Sequence, residues 1–422
     1  MRIVMKQDVT WVAQIILLFL ASLVTLIQII PLLLAIPVLF RSLNKDNSFH
    51  FEPRVTAIVP THNEESVIER CINSLLTQDY PKEKLNILVV DDASTDRTRE
   101  IIKQFEGRRL KLLTREGRYT KASAINYAKE HVNDDVVAIF DADACLEPSC
   151  IRIAVKNFAD EKIGAVVGFQ KPINIKQNWL TRILSIGDFL RFFMETVWSQ
   201  YKANNFLMGE CMFIRKKLLD EVGWFDDHII LEDSYVSMKI VFANYKIKLE
   251  RRAVVWCEQP FDLLVYFKQR RRWFRGAFQL IGIIQKGDLS RFMDSTRRRM
   301  LFWGRAIHIF PYYLPLFITL SLIMFAIAYA FNYHIAINTI SLLGVSASIL
   351  ILLGSSTLYS QWKSTYLYLL LWIVLGTLTM TTIVPLAYID ELMHKPVFFY
   401  KRPKKGVIMF GPNQYSKIIM GD

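Results

Sequence analysis

The chain has 422 residues, 52% of them hydrophobic, and a formal net charge of +13. This length provides for one large soluble domain together with a membrane part. A basic balance is also typical of nucleic-acid-binding proteins, but the sequence has no nucleic-acid-binding motif and its cations lie beside long hydrophobic stretches, so we exclude that class. Cations in such a position suit anionic headgroups and substrate phosphates. They are Lys268, Arg270, Arg271, Arg272, Arg275, Arg297, Arg298, Arg299 and Arg305.

Four stretches without a charged residue, 11–40, 307–331, 335–358 and 366–388, predict membrane-spanning helices. Each exceeds the ~20 apolar residues that a helix needs to cross the hydrocarbon core, whereas a buried helix of a soluble protein needs only ~10–14 and shows a polar face. The first stretch is also longer than the ~7–15 apolar residues of a cleaved signal sequence, which indicates a retained anchor. Its length predicts one crossing, and Pro31 and Pro37 predict a kink or an early end.

The five cysteines are odd in number, scattered and without the spacing of metal ligands. This pattern is typical of small apolar residues in a reducing compartment, so we expect the domain that carries them to face the cytosol. They are Cys71, Cys145, Cys150, Cys211 and Cys257.

Between the first and second spans, short β-rich runs alternate with helical stretches, which predicts a mostly parallel sheet with helices on its faces. Strands are expected at 55–59, 87–90, 110–113, 136–140, 165–169, 207–214 and 248–256. Helices are expected at 66–78, 121–131, 179–201 and 233–243, and another begins near Asp96 with Ser94 or Thr95 as its cap. Residues 261–284 mix apolar, aromatic and basic residues, as an amphipathic helix at a bilayer surface does.

The predicted domains are an anchor at 1–40, an α/β domain at 41–260, interface helices at 261–306, three C-terminal spans at 307–390 and a basic tail at 391–422. An α/β domain in the cytosol followed by three spans puts the C-terminus outside. The cations of the tail favour the inside; they are Lys401, Arg402, Lys404 and Lys405. Either one segment is re-entrant or interfacial, or the tail escapes the rule.

Three of the predicted strands end in polar residues. Because ligands of open α/β sheets bind outside the carboxyl ends of the strands, we expect these residues to converge on one crevice. The glycine fingerprints of dinucleotide and P-loop sites are missing from the sequence, so phosphate must be held by other means. The polar residues are Thr61, His62, Asn63, Glu64, Asp91, Asp92, Asp141 and Asp143.

Asp141 and Asp143 follow the predicted strand at 136–140, and period-two alternation predicts that their carboxylates point the same way. Hard oxygen ligands suit Mg²⁺ or Mn²⁺, which would neutralise the charge on a departing nucleoside diphosphate. An acidic turn at a strand end is the alternative. The position of the pair after an α/β half-domain favours the metal site.

Asp91 and Asp92 also end a strand, so one carboxylate could accept from a nucleotide base or ribose, and the run could equally form an Asx turn and a helix cap. We expect both roles, with the capping left to Ser94 and Thr95. Glu232 and Asp233 precede a helix. Asp233 is therefore either an N-terminal cap or the base that takes the proton of an acceptor hydroxyl, and Glu232 is the second candidate base.

Gln269, Arg272 and Trp273 lie within the predicted surface helix. Snorkelling cations and an interfacial tryptophan are the plain interpretation. In the sharper one, Arg272 pairs with a pyrophosphate and Trp273 packs against an acceptor sugar. The two interpretations are compatible, because a surface helix would hold the site at the mouth of a transmembrane path.

The order of Asp91-Asp92, Asp141-x-Asp143, Glu232-Asp233 and Gln269-x-x-Arg272-Trp273 resembles the processive membrane members of glycosyltransferase family 2. These include cellulose, chitin-oligosaccharide, hyaluronan and poly-N-acetylglucosamine synthases. The match covers roughly residues 54–275 and is specific to the family, not to one sugar. Two departures weaken assignment to a subfamily: residues 116–120 replace the usual Asn-x-Gly-Lys lead-in, and Leu231 replaces the commoner Thr.

The resemblance implies a GT-A fold, a UDP-sugar donor, Mg²⁺ or Mn²⁺, and inversion at the anomeric carbon. It implies that Asp92, together with Asp91, contacts the uridine. It implies further that Asp143 binds the metal, that Asp141 contacts the donor beside it, and that Asp233 is the base. Lys121 lies where relatives often have a basic residue. Thr61, Asn63, Glu64, Lys121 and Arg272 are thus the remaining expected donor contacts, and Trp273 and Gln269 the expected acceptor contacts.

These features predict an inverting, processive glycosyltransferase that extends a β-linked polysaccharide at its non-reducing end. The expected setting is a multi-pass plasma-membrane protein with a cytosolic catalytic domain, whose partners are an oligosaccharide or lipid-linked acceptor and the bilayer. An enzymatic alternative transfers one sugar to a lipid acceptor. An alternative of another class is an inactive transporter or scaffold that releases no UDP.

Overall fold

The computed structural model describes residues 2–39, 51–107, 109–116, 120–200, 206–286, 295–331, 335–358 and 367–395. These residues form two compact units. The helical unit contains residues 2–39, 182–200, 305–331, 335–358 and 367–383. The other described residues make up the α/β unit, which contains the sheet.

Within the described part of the chain, eight strands form one mixed sheet in the order β3-β2-β1-β4-β7-β6-β8-β5. The strands are β1 Val55–Thr61, β2 Leu85–Asp92, β3 Leu110–Arg115, β4 Val136–Phe140, β5 Cys145–Leu146, β6 Ile163–Pro172, β7 Cys211–Arg215 and β8 Lys246–Cys257. Strands β3, β2, β1 and β4 are parallel neighbours, and so are β6 and β8. Strand β7 runs antiparallel between β4 and β6.

The helices are α1 Arg2–Leu39, α2 Ile68–Leu76, α3 Thr98–Lys103, α4 Lys121–Tyr127, α5 Cys150–Val155, α6 Trp179–Gln200, α7 Lys216–Val222, α8 Glu232–Phe242, α9 Leu263–Lys286, α10 Ser295–Ala330, α11 Ile335–Leu358, α12 Leu369–Leu378 and α13 Val384–Leu392. A π-helical turn, Thr379–Ile383, joins α12 to α13. The alternation of strands and helices predicted from the sequence is confirmed, with boundaries that shift by a few residues.

The central strands are apolar along their whole length because both faces of the sheet are covered. Every residue of β1 and of β4 is buried. Such continuous hydrophobic runs are typical of parallel strands between two layers of helices. Across the β4–β7 pairing, Phe140 and Phe213 make an edge-to-face contact with their ring centroids 5.6 Å apart. The five cysteines are all buried and free, as predicted.

In the helical unit, α1 runs parallel to α11 and antiparallel to α10. Ala21 packs with Ile337, Met324 and Ala328 in one apolar cluster. One turn further along α1, the Thr25 hydroxyl donates to the Ile340 carbonyl at 2.9 Å. The next turn carries Gln28, whose side-chain oxygen accepts from the Ser321 hydroxyl at 3.2 Å. These hydrogen bonds satisfy polar side chains that have no access to water inside an otherwise apolar bundle.

Among the residues that the structure describes, four helices are long and apolar enough to cross a membrane: Trp11–Val38, Tyr312–Ala330, Ile335–Leu353 and Leu369–Leu392. Helix α1 continues through Pro31 and Pro37 to Leu39, so the predicted early end is wrong. The domain boundaries given above stay a prediction. The cations of the predicted tail, residues 401–405, lie outside the described residues.

Candidate active site

The loops that follow β1 and β2 are tied together at the carboxyl edge of the sheet. The Asn63 side-chain oxygen accepts from the Thr95 backbone N–H at 2.8 Å, and the Ser94 hydroxyl accepts from the Asn63 backbone N–H at 2.9 Å. Asn63 adopts a left-handed backbone conformation with φ of 54°, which turns the chain toward the second loop. The polar residues predicted to converge at these two strand ends are therefore close together.

The same contacts contradict the predicted caps. Ser94 and Thr95 bond to the neighbouring loop, and neither caps α3. The first turn of α3 is held by Asp96, whose carboxylate accepts from the Thr98 backbone N–H at 3.0 Å. The Thr98 hydroxyl in turn accepts from the Glu64 backbone N–H at 2.8 Å. Glu64 thus lies beside the crevice at the entry to α2.

Asp91 and Asp92 are fully buried, and each is paired with an arginine. Arg99 donates to Asp91 at 2.8 Å, and Arg115 donates to both oxygens of Asp92 at 3.2 and 3.1 Å. Burial raises the pKa of Asp92, and the Arg115 charge opposes that rise. Within the described residues, the second oxygen of Asp91 and the buried Thr61 hydroxyl have no hydrogen-bond partner. Such buried orphan groups at a strand end are suited to receive a ligand.

Asp141 and Asp143 lie in a turn that follows β4. The Ala144 backbone N–H donates to the Asp141 carbonyl at 2.9 Å and closes this turn. The predicted alignment of the two carboxylates by strand alternation is therefore wrong, because β4 ends at Phe140. The side chain of Asp141 is partly exposed, whereas Asp143 is buried.

Lys121 joins the Asp141 carboxylate to the loop that precedes β7. It begins α4 behind a capping box in which Thr120 and Ser123 bond each other reciprocally. Its ammonium donates to the Asp141 carboxylate and, at 2.7 Å, to the Gly209 carbonyl. Burial disfavours the charged lysine, but the carboxylates of Asp141 and Glu232 outweigh it and raise the pKa of Lys121 above its ordinary value.

Gly209 connects Lys121 to the predicted base, Asp233. Its backbone N–H donates to Asp233 Oδ2 at 3.0 Å, while Asp233 Oδ1 accepts from the Ser234 N–H at 2.6 Å. An added Cβ at Gly209 would lie 2.5 Å from the Lys121 nitrogen, so a side chain would disturb both contacts. Sequence reasoning missed this glycine, and its only signal was a glycine at the start of a predicted strand.

The cap alternative for Asp233 is not what the structure has. Helix α8 begins at Glu232, and Leu231 is its N-cap residue, without a side-chain cap bond. Removal from water and the neighbouring Asp233 charge raise the pKa of Glu232 to about 7, although Lys121 and Arg272 oppose the shift. The pair therefore includes one carboxyl group that exchanges its proton near neutral pH.

Arg115 extends the network to the other end of the crevice. It donates to Asp92 and also to the Ser123 hydroxyl at 2.7 Å, in the first turn of α4. A continuous set of contacts therefore runs from the end of β2, through Arg115 and α4, to Lys121 and the two candidate bases, Glu232 and Asp233. Sequence reasoning missed Arg115, although a cation at the end of β3 beside two acidic strand ends was a usable signal.

The Gln269-x-x-Arg272-Trp273 motif lies on α9, and its charge acts on Glu232 through Arg272. The guanidinium of Arg270 lies over the rings of Trp273 and Tyr266, at 4.2 and 5.1 Å from their centroids. Arg270 is thus buried between two aromatic rings, and its predicted contact with lipid headgroups is wrong. The Gln269 side-chain oxygen is buried without a hydrogen-bond partner among the described residues.

The buried ion pair between Arg70 and Glu258 contacts the backbone of Asp143. One nitrogen of Arg70 on α2 donates to the Asp143 carbonyl at 3.1 Å and to the Glu258 carboxylate at 2.9 Å. Glu258 directly follows β8, so this pair ties the acidic turn to the far side of the sheet. Neither residue was identified from the sequence, because nothing in the local pattern relates positions so far apart.

No group of three metal-ligating side chains occurs among the residues described. Two carboxylates at one turn are nevertheless what Mg²⁺ or Mn²⁺ uses when phosphate oxygens complete its shell. The donor set of Asp141 and Asp143 fits such an ion in its oxygen chemistry.

Residues 56–223 match the model of a protein family described as glycosyl transferase family 2. A probable glycosyltransferase, YdaM, of Bacillus subtilis is 28% identical over 69% of this chain and 70% of its own length. A beta-monoglucosyldiacylglycerol synthase of Nostoc is 28% identical over 54% of this chain and 49% of its own length. A poly-beta-1,6-N-acetyl-D-glucosamine synthase of Staphylococcus epidermidis is 29% identical over 54% of this chain and 55% of its own length.

The chain thus spans about half the length of the latter two relatives. Among solved structures, the mannosyltransferase PcManGT from Pyrobaculum calidifontis, in complex with GDP-Man and Mn²⁺, aligns with a TM-score of 0.58. That alignment has 23% sequence identity and covers 90% of this chain and 100% of the other. At that identity it shows the fold alone, and the predicted GT-A fold is confirmed.

Proposed function

We propose that the chain, whose residues 56–223 match glycosyl transferase family 2, is an inverting enzyme of that family. It transfers a sugar from a UDP-sugar to the non-reducing end of a growing β-linked polysaccharide. The observation that carries this proposal is the link from Asp141 through Lys121 and Gly209 to Asp233. A donor-side carboxylate and a candidate base then belong to one rigid group of contacts.

The donor occupies the carboxyl edge of the sheet. Asp91 and Asp92 contact the uridine, supported by the orphan oxygen of Asp91. Thr61, Asn63 and Glu64 border the same edge and contact the nucleotide from the β1 side. Lys121 and Arg272 provide positive charge for the diphosphate, where planar guanidinium and ammonium donors bind phosphate oxygens well.

Asp141 and Asp143 would hold a Mg²⁺ or Mn²⁺ ion against the diphosphate of the donor. The relative with the same fold was solved with GDP-Man and Mn²⁺. Such an ion, when bound, supplies positive charge to the departing nucleoside diphosphate. Asp143 is held for this task by Arg70 at its carbonyl.

Asp233 acts as the base. It accepts the proton of the acceptor hydroxyl while that oxygen forms a bond to the anomeric carbon and the bond from this carbon to the diphosphate breaks. The backbone N–H groups of Gly209 and Ser234 hold its carboxylate in place. Trp273 and Gln269 contact the acceptor sugar.

A lipid acceptor is the second candidate. It is favoured by the beta-monoglucosyldiacylglycerol synthase, which is as similar to this chain as the polysaccharide synthase. Helices that could cross a membrane suit either acceptor, because a polymer needs a path through the bilayer and a lipid is reached from within it. We place the protein in the plasma membrane with its α/β unit in the cytosol, where activated sugars are made.

Purified full-length protein in lipid, incubated with radiolabelled UDP-sugars and Mn²⁺ or Mg²⁺, tests the proposal. We expect UDP release and a product of many sugars from one donor of the panel. A single sugar on a lipid would overturn polymer synthesis in favour of the second candidate. If neither UDP nor product formed with any donor, an inactive transporter or scaffold would be the better interpretation.

A further inference from the structure

Helix α13 is bound to α9, the helix that carries Arg272 and Trp273. Arg271 donates to the Asp390 carboxylate at 2.5 Å, and Arg275 donates to Glu391 at 2.9 Å. One turn beyond, the rings of Phe278 and Tyr388 meet edge to face, with centroids 5.0 Å apart. Two ion pairs and an aromatic contact therefore join the two helices within the α/β unit.

The three residues of α9 in this contact lie on one side of the helix. Positions 271, 275 and 278 are separated by four and three residues, which places them in one row. Arg271 and Arg275 belong to the cations that were predicted from the sequence to suit lipid headgroups or substrate phosphates. Both instead pair with carboxylates of α13.

The adjacent row of α9, displaced by one residue, packs on the loop that precedes the base. A Cβ added at Gly276 would lie 2.6 Å from Leu231, so the helix and the loop are in close contact there. Gln279 accepts from the Ile230 backbone N–H and donates to the His228 carbonyl, both at 2.9 Å. Arg272 belongs to this second row. One face of α9 thus packs against α13, and the neighbouring face packs against the loop at residues 228–231 that precedes Glu232 and Asp233.

We propose that α13 is a brace for α9, in which Asp390 and Glu391 are positioning residues that keep Arg272 and the loop before Glu232 in their working places. Neither residue contacts the donor or the acceptor in this proposal. Their effect reaches the reaction through α9, because a rigid helix transmits a displacement from one row of side chains to the next. Ion pairs on an exposed surface are weak, but a pair of them with an aromatic contact fixes a helix register.

The brace also determines on which side of the membrane the last apolar helix ends. Since α9 directly follows the sheet, the end of α13 lies on the side of the α/β unit. Because we place the α/β unit in the cytosol, we infer that the end of α13 lies there as well.

An activity assay tests the brace, and this test rests on the proposed function. In the double variant Asp390→Asn/Glu391→Gln, we expect kcat to fall by about tenfold or more, because small misplacements of catalytic groups are costly. We expect the Kd for UDP to rise as well, because Arg272 is displaced from the diphosphate. The exposed acid Glu83, far along the chain, provides the matched control Glu83→Gln, with unchanged rates. The conservative variant Asp390→Glu should keep most activity.

A reciprocal exchange distinguishes positioning from simple loss of charge. Arg271→Asp alone should lose activity, and Arg271→Asp combined with Asp390→Arg should recover much of it. Thermal midpoints of the solubilised proteins show whether a variant has unfolded. Activity of the double neutral variant within twofold of the unaltered protein, or failure of the exchange to restore any activity in a folded protein, would overturn the brace.

Cysteine labelling tests the location without relying on any activity. The native cysteines are buried, which keeps the background low. With a membrane-impermeant maleimide, His394→Cys should react only after the cells are permeabilised, as should the cytosolic control Glu83→Cys. Tyr329→Cys, at the far end of α10, should react in intact cells. Reaction of His394→Cys in intact cells, or no reaction until denaturation, would overturn the cytosolic end of α13, even if the enzyme transferred sugar as proposed.

Discussion

At the β2 end of the crevice, Asp91 and Asp92 each have an arginine of their own, whereas at the α8 end Glu232 and Asp233 have the charge of Lys121 between them. The arginines are always protonated, so each carboxyl group of the first pair has a permanent positive partner and a fixed geometry. The second pair is left with one carboxyl group that titrates near pH 7. A site that only binds needs the first arrangement, and a site that moves a proton needs the second.

The largest effect should follow from removing the base. We expect Asp233→Asn to lower kcat by about 10²–10⁴-fold, the usual contribution of a general base, and to leave UDP binding unchanged. The amide can still accept from the Gly209 N–H, so the fold is preserved. The matched control is Asp227→Asn, an exposed acid in the preceding loop. Near-normal turnover of Asp233→Asn would show that the base has been assigned to the wrong carboxylate.

The next effect concerns the turn after β4. Asp143→Asn should weaken donor binding by at least about tenfold in the presence of Mn²⁺, because a metal ligand worth several kcal/mol is lost, and should have little effect when the metal is chelated. Isothermal titration with UDP, with and without the metal, measures this difference. Glu161→Gln, on an exposed turn, serves as the control. An equal loss with and without metal would contradict the role of Asp143 as a ligand.

A smaller effect is expected at the β2 end, on stability. Arg115→Met leaves the buried Asp92 without its partner, which should lower the free energy of unfolding by about 1–3 kcal/mol. Arg97→Met removes an exposed arginine that is paired with Glu65, and should cost less than about 0.5 kcal/mol. Chemical denaturation of the two variants measures the difference. Equal stabilities would mean that Asp92 does not depend on Arg115.

Sequence patterns were sufficient for the elements that bring one side of the site together. Polar residues at the ends of β1, β2 and β4 meet because parallel neighbouring strands end at one edge, and hydrophobic runs mark such strands reliably. The spans followed from length and apolar character alone. Strands and spans of this kind can be predicted from the sequence because each depends only on residues that are close together in the chain.

The remaining features depend on contacts between distant positions. Lys121 reaches Gly209 across 88 residues, and Arg271 reaches Asp390 across 119. No local period relates such pairs, and the antiparallel β7 that carries Gly209 into place looks from the sequence like any other strand. The caps at Ser94 and Thr95 were mispredicted for the same reason, because the loop after β1 competes for their hydrogen bonds.

The last and smallest effect is a change in pH dependence at the α8 end. The raised pKa of Glu232 means that the native protein holds a proton which the unfolded chain has lost, so this group makes stability decrease as pH rises from the ordinary carboxyl range toward about 7. Over the same range the rate should increase, because an ionised Glu232 adds negative charge beside the proton that is transferred from the acceptor. Glu232→Gln should remove both trends, leaving a lower rate that varies little between pH 6 and 8, values chosen as about one unit on either side of that pKa. Initial rates and unfolding midpoints over this range provide the measurement, with Glu83→Gln as a control that keeps both slopes. Persistence of the rising rate in Glu232→Gln would assign the titration to another group and remove the main contrast between the two ends of the crevice.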